Sequence, residues 1–204
     1  MQSRWNKTWQ QLGIRAPEGA FAELSARYSE SHRRYHTLQH LTECFALFDS
    51  LTTVPMNVPA VELALWFHDA IYDTRATDNE EASANLGTQV LLDAGCSMPV
   101  VALVRQLILA TRHEGDPGTS IETMVLLDVD LSILGATPDR FEAFEAQIRA
   151  EYHWVPSQRF REGRAAILRR LLARASIYQL PQIRSKLEAP ARRNLAAALA
   201  RLED

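Results

Sequence analysis

Apolar residues recur at three- and four-residue spacing along almost the whole chain, and strict two-residue alternation is scarce. That spacing stacks side chains on one face of a helix, so an extensive sheet is excluded. The period predicts a helix over 17–30, with Phe21, Leu24 and Tyr28 on one side. It predicts another over 38–52, with Leu41, Cys44, Phe45, Phe48 and Leu51 aligned, for which Thr37 is the natural N-cap. Asn57 and Pro59 open a helix over 58–73. Asp78-Asn79-Glu80-Glu81 reads as a capping box for 79–94, with Glu81 as the returning partner and Gly95 as the stop. Ser97 and Pro99 open a helix to about Arg112, and 113–118 is the clearest loop. Residues 121–134 form an apolar helix interrupted by Asp128 and Asp130. Thr137-Pro138 opens 138–151, with Phe141, Phe144 and Ile148 on one face. Helices over 157–174 and 190–202 follow, with Leu180-Pro181 breaking the chain between them. The expected fold class is all-α, about eight to ten helices packed in non-bundle fashion.

The 204 residues suffice for one large domain with a buried core. Hydrophobic residues make up 47% and charged residues 23%, the balance of a globular chain and not of a disordered one. A net charge of −3 gives no general attraction to nucleic acid or to acidic membranes, so no specific nucleic-acid binding is expected. Arginines gather late in the chain (Arg159, Arg161, Arg164, Arg169, Arg170, Arg174) and read as a solvated helix surface. Two cysteines make neither a disulfide framework nor a zinc knuckle, and Cys44 falls on an apolar stripe as a small core residue. No secretory signal and no uninterrupted apolar run of ~18 residues is present, so a cytoplasmic protein without a membrane span is expected.

Against that apolar background, four side chains are out of place. His40 lies beside the buried face of its helix. His68 shares a face with Ala64 and Ile71, and Asp69 follows it at once. Asp130 lies between Val125-Leu126-Leu127 and Leu131-Ile133-Leu134. A carboxylate so placed is costly unless something positive meets it. One divalent cation would account for two histidines and two acids directed inward. A mixed nitrogen and oxygen set admits Mn, Fe, Co, Ni, Zn or Mg. Two positions keep alternatives. His36 lies four residues before His40 and could face the same site. Asp128 and Asp130 are two apart, about 200° around a helix, so only one of them faces the histidines.

The segments Arg34-Tyr35-His36-Thr37-Leu38-Gln39-His40, Trp66-Phe67-His68-Asp69-Ala70-Ile71-Tyr72-Asp73, Asp78-Asn79-Glu80-Glu81-Ala82-Ser83-Ala84 and Leu127-Asp128-Val129-Asp130-Leu131-Ser132-Ile133-Leu134-Gly135 resemble the HD superfamily of metal-dependent phosphohydrolases. Within it they look like a small bacterial subfamily described as predicted metal-dependent HD phosphohydrolases, over about Arg4 to the C-terminus. The resemblance implies one HD-type helical domain over 1–204, with a metal-site core at about 30–135 and C-terminal helices at about 138–203 packed on it. It favours His40, His68, Asp69 and Asp130 as metal ligands. It implies hydrolysis of a small phosphorylated substrate, nucleotides among the candidates, by water activated at the metal. Asp73 or Glu80 would steer or accept the water proton, and Asp69 belongs to the catalytic set. Arg33, Arg34, His36 and His113 would contact substrate phosphate, the arginines through bidentate pairing. The alternatives within the superfamily are a nucleotide-binding regulatory module without turnover and a di-metal oxygenase.

Overall fold

A helix that is apolar on every side has no face to give to water, so it must be enclosed. In the computed structural model, which describes residues 1–53, 55–113 and 120–203, that helix is α4 (Val58–Phe67), whose residues from Ala60 to Phe67 are all buried. The other elements, in chain order, are α1 (Gln2–Gln11), α2 (Ala20–Arg27), α3 (Leu38–Asp49), α5 (Asn79–Asp93), α6 (Met98–Ala110), α7 (Ile121–Asp130), a 3-10 helix (Leu131–Gly135), α8 (Pro138–Glu151), α9 (Ser157–Leu172) and α10 (Pro181–Glu203). The class is all-α, with ten α-helices and no strand among the described residues. None of these helices is long and apolar enough to cross a membrane.

The chain divides into two compact units, Met1–Leu127 and Asp128–Asp204. In the first, α1, α3, α5 and α6 pack around α4. Trp5 of α1 meets Trp66 and Phe67 of α4 and its own neighbour Trp9 in an aromatic cluster, with the Trp5 and Trp66 rings edge to face at 5.5 Å. The one acidic residue of α4, Glu62, is buried and accepts hydrogen bonds from Arg4 and Thr8 of α1, which supply the partner that its burial demands. Gly87 lets α5 approach α4 closely: a Cβ there would sit 3.2 Å from the Phe67 ring.

In the second unit the 3-10 helix is tied to later elements. The Tyr178 hydroxyl donates to the Leu131 carbonyl, and the Asn194 amide donates to the Leu134 and Ala136 carbonyls at 2.9 Å each. Gly135 is required by contact, since a Cβ there would meet Leu187 at 2.7 Å.

Thr37, Asn57 and Gly95 act as expected. The Thr37 and Asn57 side chains accept from the N–H of Gln39 and Ala60, and Gly95 follows α5 with φ +79°. Several expected boundaries are corrected. Helix α4 ends at Phe67, not at 73, so Tyr72 and Asp73 lie beyond it. Helix α2 begins only after Gly19, whose φ of +76° interrupts the helical path that 17–30 implied. Helix α10 begins at Pro181, where a missing N–H costs nothing, and runs through Pro190. Helix α1 has no counterpart in the expected set, although Trp5 and Trp9 stand four apart. Beyond His113, the loop expected at 113–118 lies outside the described residues.

Candidate metal centre

Within the first unit, α3 and α4 bring their ends together. Thr37 fixes the start of α3, which leaves His40 in its first turn, 2% exposed. The end of α4 puts His68 at the C-cap, also 2% exposed, with Asp69 next to it. His40 Nε2 and His68 Nε2 are 3.2 Å apart. Asp69 Oδ2 is 3.1 Å from His68 Nε2 and 3.8 Å from His40 Nε2. Three ligand atoms roughly 2.0–2.2 Å from one ion would stand roughly 2.8–3.6 Å apart at octahedral or tetrahedral angles. Two sides of the triangle fall in that range and the third, 3.8 Å, is slightly longer, and the donor types fit a borderline divalent cation.

Hydrogen bonds behind the rings point the same way. His68 Nδ1 lies 2.8 Å from the Leu65 carbonyl, an acceptor only, so this nitrogen carries the proton. In the neutral ring the Nε2 lone pair then faces the triangle, as a metal-ligating histidine requires. His40 has the Cys44 sulfur 3.6 Å from its Nδ1. Two imidazole lone pairs at 3.2 Å repel unless a proton or a cation lies between them. Burial raises the Asp69 carboxyl, but the neighbouring His68, His36 and His40 rings outweigh it and hold Asp69 well below the usual carboxylate range. Asp69 is thus an anion across the physiological range.

The other expected residues fall in distinct places. His36 is half-buried and stacks on Tyr72 at 4.0 Å, with its ring 6.2 Å from that of His40. It edges the triangle, and its electrostatic effect on Asp69 marks it as a neighbour of the anion. Arg34 is exposed and donates to the Ser31 and Arg33 carbonyls. Arg33 is a correction: its side chain has no exposed surface, and its donors go to backbone carbonyls and Glu30, so it is not presented for phosphate. Asp73 is exposed and accepts the Arg75 N–H within its own turn, while its backbone is held by Asn79. Glu80 is half-buried in the first turn of α5. His113 ends the described part of the 100s segment at φ +53°, a left-handed conformation unusual for a residue with a side chain.

Glu81 is also corrected. The Asp78 side chain makes no capping hydrogen bond, and the Glu81 carboxylate instead joins Arg105 and Arg112 of the neighbouring helix and its end. Its distant partners lay 24 and 31 residues away, beyond the reach of a local capping pattern.

In the second unit, the two acids of α7 are separated as the helical angle demands. Asp128 is 1% exposed, and its carboxylate accepts the N–H of Gln179 at 2.9 Å and of Leu180 at 2.6 Å. Burial pushes its carboxyl up to about 6, against the lowering effect of those two donors. Asp130 ends α7 about 200° around the axis from Asp128 and is half-buried. Asp128 is therefore committed to the framework of its own unit.

The contact between His40 and Cys44, four residues apart on α3, was visible as an i, i+4 pair but had no chemical flag. The role of Glu30 beside Arg33 had no sequence signal beyond the i, i+3 spacing. No protein-family model, no curated protein and no solved structure matches this chain.

Proposed function

We propose that the chain is a metal-dependent phosphohydrolase of the kind its HD resemblance implies. The observation that carries this reading is the triangle of His40 Nε2, His68 Nε2 and Asp69 Oδ2, with sides of 3.1 to 3.8 Å. His40, His68 and Asp69 are the residues that would hold the ion, and the HD resemblance adds Asp130 as a fourth ligand. A divalent cation bound by these four would supply Lewis acidity, making a water easier to deprotonate and offsetting charge on phosphate oxygens.

The chain's own groups do the rest. Asp69, ionised and exposed on one side, orients the attacking water by accepting its hydrogen bond. Glu80 or Asp73 receives its proton. His36, half-buried against Tyr72, donates to a non-bridging phosphate oxygen, and the exposed Arg34 adds positive charge to the approach. His113 remains the candidate for a further phosphate contact.

Elemental analysis of the purified chain, paired with a panel of phosphate monoesters and nucleotides under Mn, Fe, Co, Ni, Zn and Mg, tests the reading. About one ion per chain and metal-dependent phosphate release are expected. No bound metal, and no rise in melting temperature on adding any of the six, overturns it. Two irons per chain with oxygen-dependent turnover would move the assignment to a di-metal oxygenase. Nucleotide binding without phosphate release would move it to a regulatory module.

A further inference from the structure

Helix α4 ends at Phe67, and five carbonyls at its end and in the turn after it receive side-chain donors. The Leu65 carbonyl receives the His68 ring, the Trp66 carbonyl receives the Tyr28 hydroxyl at 3.1 Å, and the Ile71 carbonyl receives the Ser83 hydroxyl at 3.2 Å. Between them, the Asp69 and Ala70 carbonyls are both taken by Arg33. Its Nη1 donates to Asp69 at 2.7 Å and to the His36 carbonyl at 3.2 Å, and its Nη2 donates to Ala70 at 3.1 Å. Its Nε donates to Glu30 at 3.0 Å, and the Tyr28 and Tyr72 rings lie 5.2 and 5.5 Å from the guanidinium carbon.

One planar, wholly buried cation thus joins the loop that carries His36 to the turn that carries His68 and Asp69. Burying that charge is tolerable because Glu30 neutralises it and the carbonyls at a helix C-terminus present their negative ends to it. We propose that Arg33 is the positioning residue of the metal centre, acting through the Asp69 and Ala70 carbonyls to set where the Asp69 carboxylate and the His68 Nε2 point. The role at the metal rests on the phosphohydrolase reading; the role in holding the turn does not. A lysine cannot replace it, because one ammonium on a flexible stem does not reproduce a rigid fork that reaches three carbonyls at fixed angles.

The test uses the full chain and Arg33→Lys, with three readouts. Titration calorimetry with Mn2+ alone is expected to show affinity weakened by about 10- to 100-fold, the usual cost of losing a group that orients a ligand. Kinetics on one phosphate ester at saturating Mn2+ are expected to show a fall in kcat with KM nearly unchanged. Imidazole nitrogen NMR of the metal-free protein is expected to show His68 as a single Nδ1–H tautomer in the parent chain and as a mixture in the variant. A rise in KM alone, with Mn2+ affinity and the His68 signals unchanged, would mean a phosphate clamp and overturns the proposal. If Arg33→Lys does not fold, Glu30→Gln decides, since it removes one tie and leaves the fork in place. It is expected to weaken Mn2+ binding in the same direction by less, and unchanged Mn2+ affinity with unchanged His68 signals overturns the proposal. A parent chain that takes no Mn2+, while its variants still scramble the His68 tautomer, keeps Arg33 as the anchor of the turn and removes the metal reading.

Discussion

Asp69 and Asp128 are both carboxylates in apolar surroundings, and they behave in opposite ways. Desolvation raises both. Asp69 meets the imidazoles of His68, His36 and His40, and the result is a carboxyl held well below its ordinary range. Asp128 meets the neutral N–H groups of Gln179 and Leu180, and its carboxyl stays raised at about 6. Three imidazoles around one carboxylate overcome its burial; two backbone dipoles and the charge of Arg184, opposed by Glu188, only moderate it. The first acid is kept ionised where a cation can use it. The second is spent on fixing the entry to α10.

The largest effect should come from Asp69→Asn. It removes the anion from the triangle, and Mn2+ affinity measured by calorimetry should fall by at least the roughly 10- to 100-fold that losing an orienting group costs. Metal-dependent hydrolysis should disappear with it. An Asp69→Asn protein that binds Mn2+ as the parent does would break the comparison at its first member.

Asp128→Ala should leave metal affinity intact and lower stability, because it strands the Gln179 and Leu180 N–H groups in a buried site. An unsatisfied buried group costs about 1–3 kcal/mol, which urea unfolding resolves easily. A loss of metal with no loss of stability would make Asp128, and not Asp130, the ligand on α7.

The pH dependence sharpens the same contrast. The Asp128 carboxyl is raised in the folded chain, so the unfolded chain ionises first as pH rises. Stability of the parent relative to Asp128→Asn should therefore fall between about pH 4 and pH 6, by at most about 1.4 kcal/mol per pH unit, and level off above that window. Asp69, Asp49 and Glu81 are held low and act in the opposite sense, but they are common to both proteins and cancel in the difference. A difference that does not vary with pH would mean that Asp128 is not raised.

Glu81→Ala should have the smallest effect. Its ion pairs with Arg105 and Arg112 are only partly buried, so a slight, salt-sensitive fall in melting temperature is expected, with Mn2+ binding unchanged. Full stability with lost turnover would instead make Glu81 part of the reaction.

Periodicity, caps and stop signals are local, and they made the all-α class, the starts of α3 and α4 and the stop after α5 legible from the residues alone. The candidates His68 and Asp69 stood out as well, because polar residues are conspicuous against apolar helix faces, while His36 beside His40 and Asp128 beside Asp130 left two positions open. What local pattern cannot carry is the choice among partners far apart in the chain. Arg33 in isolation reads as a free cation for phosphate. Only folding brings it to the Asp69 and Ala70 carbonyls, 36 and 37 residues on, and buries it there. Glu81 read as a cap until Arg105 and Arg112 arrived from another helix, and Asp128 was undecided until the Gln179 and Leu180 N–H groups took its oxygens. Side-chain type and spacing determine which groups can meet a cation or a carbonyl. Packing decides which one each of them meets, because hydrogen bonds and charges act over a few ångströms of space and not along the chain.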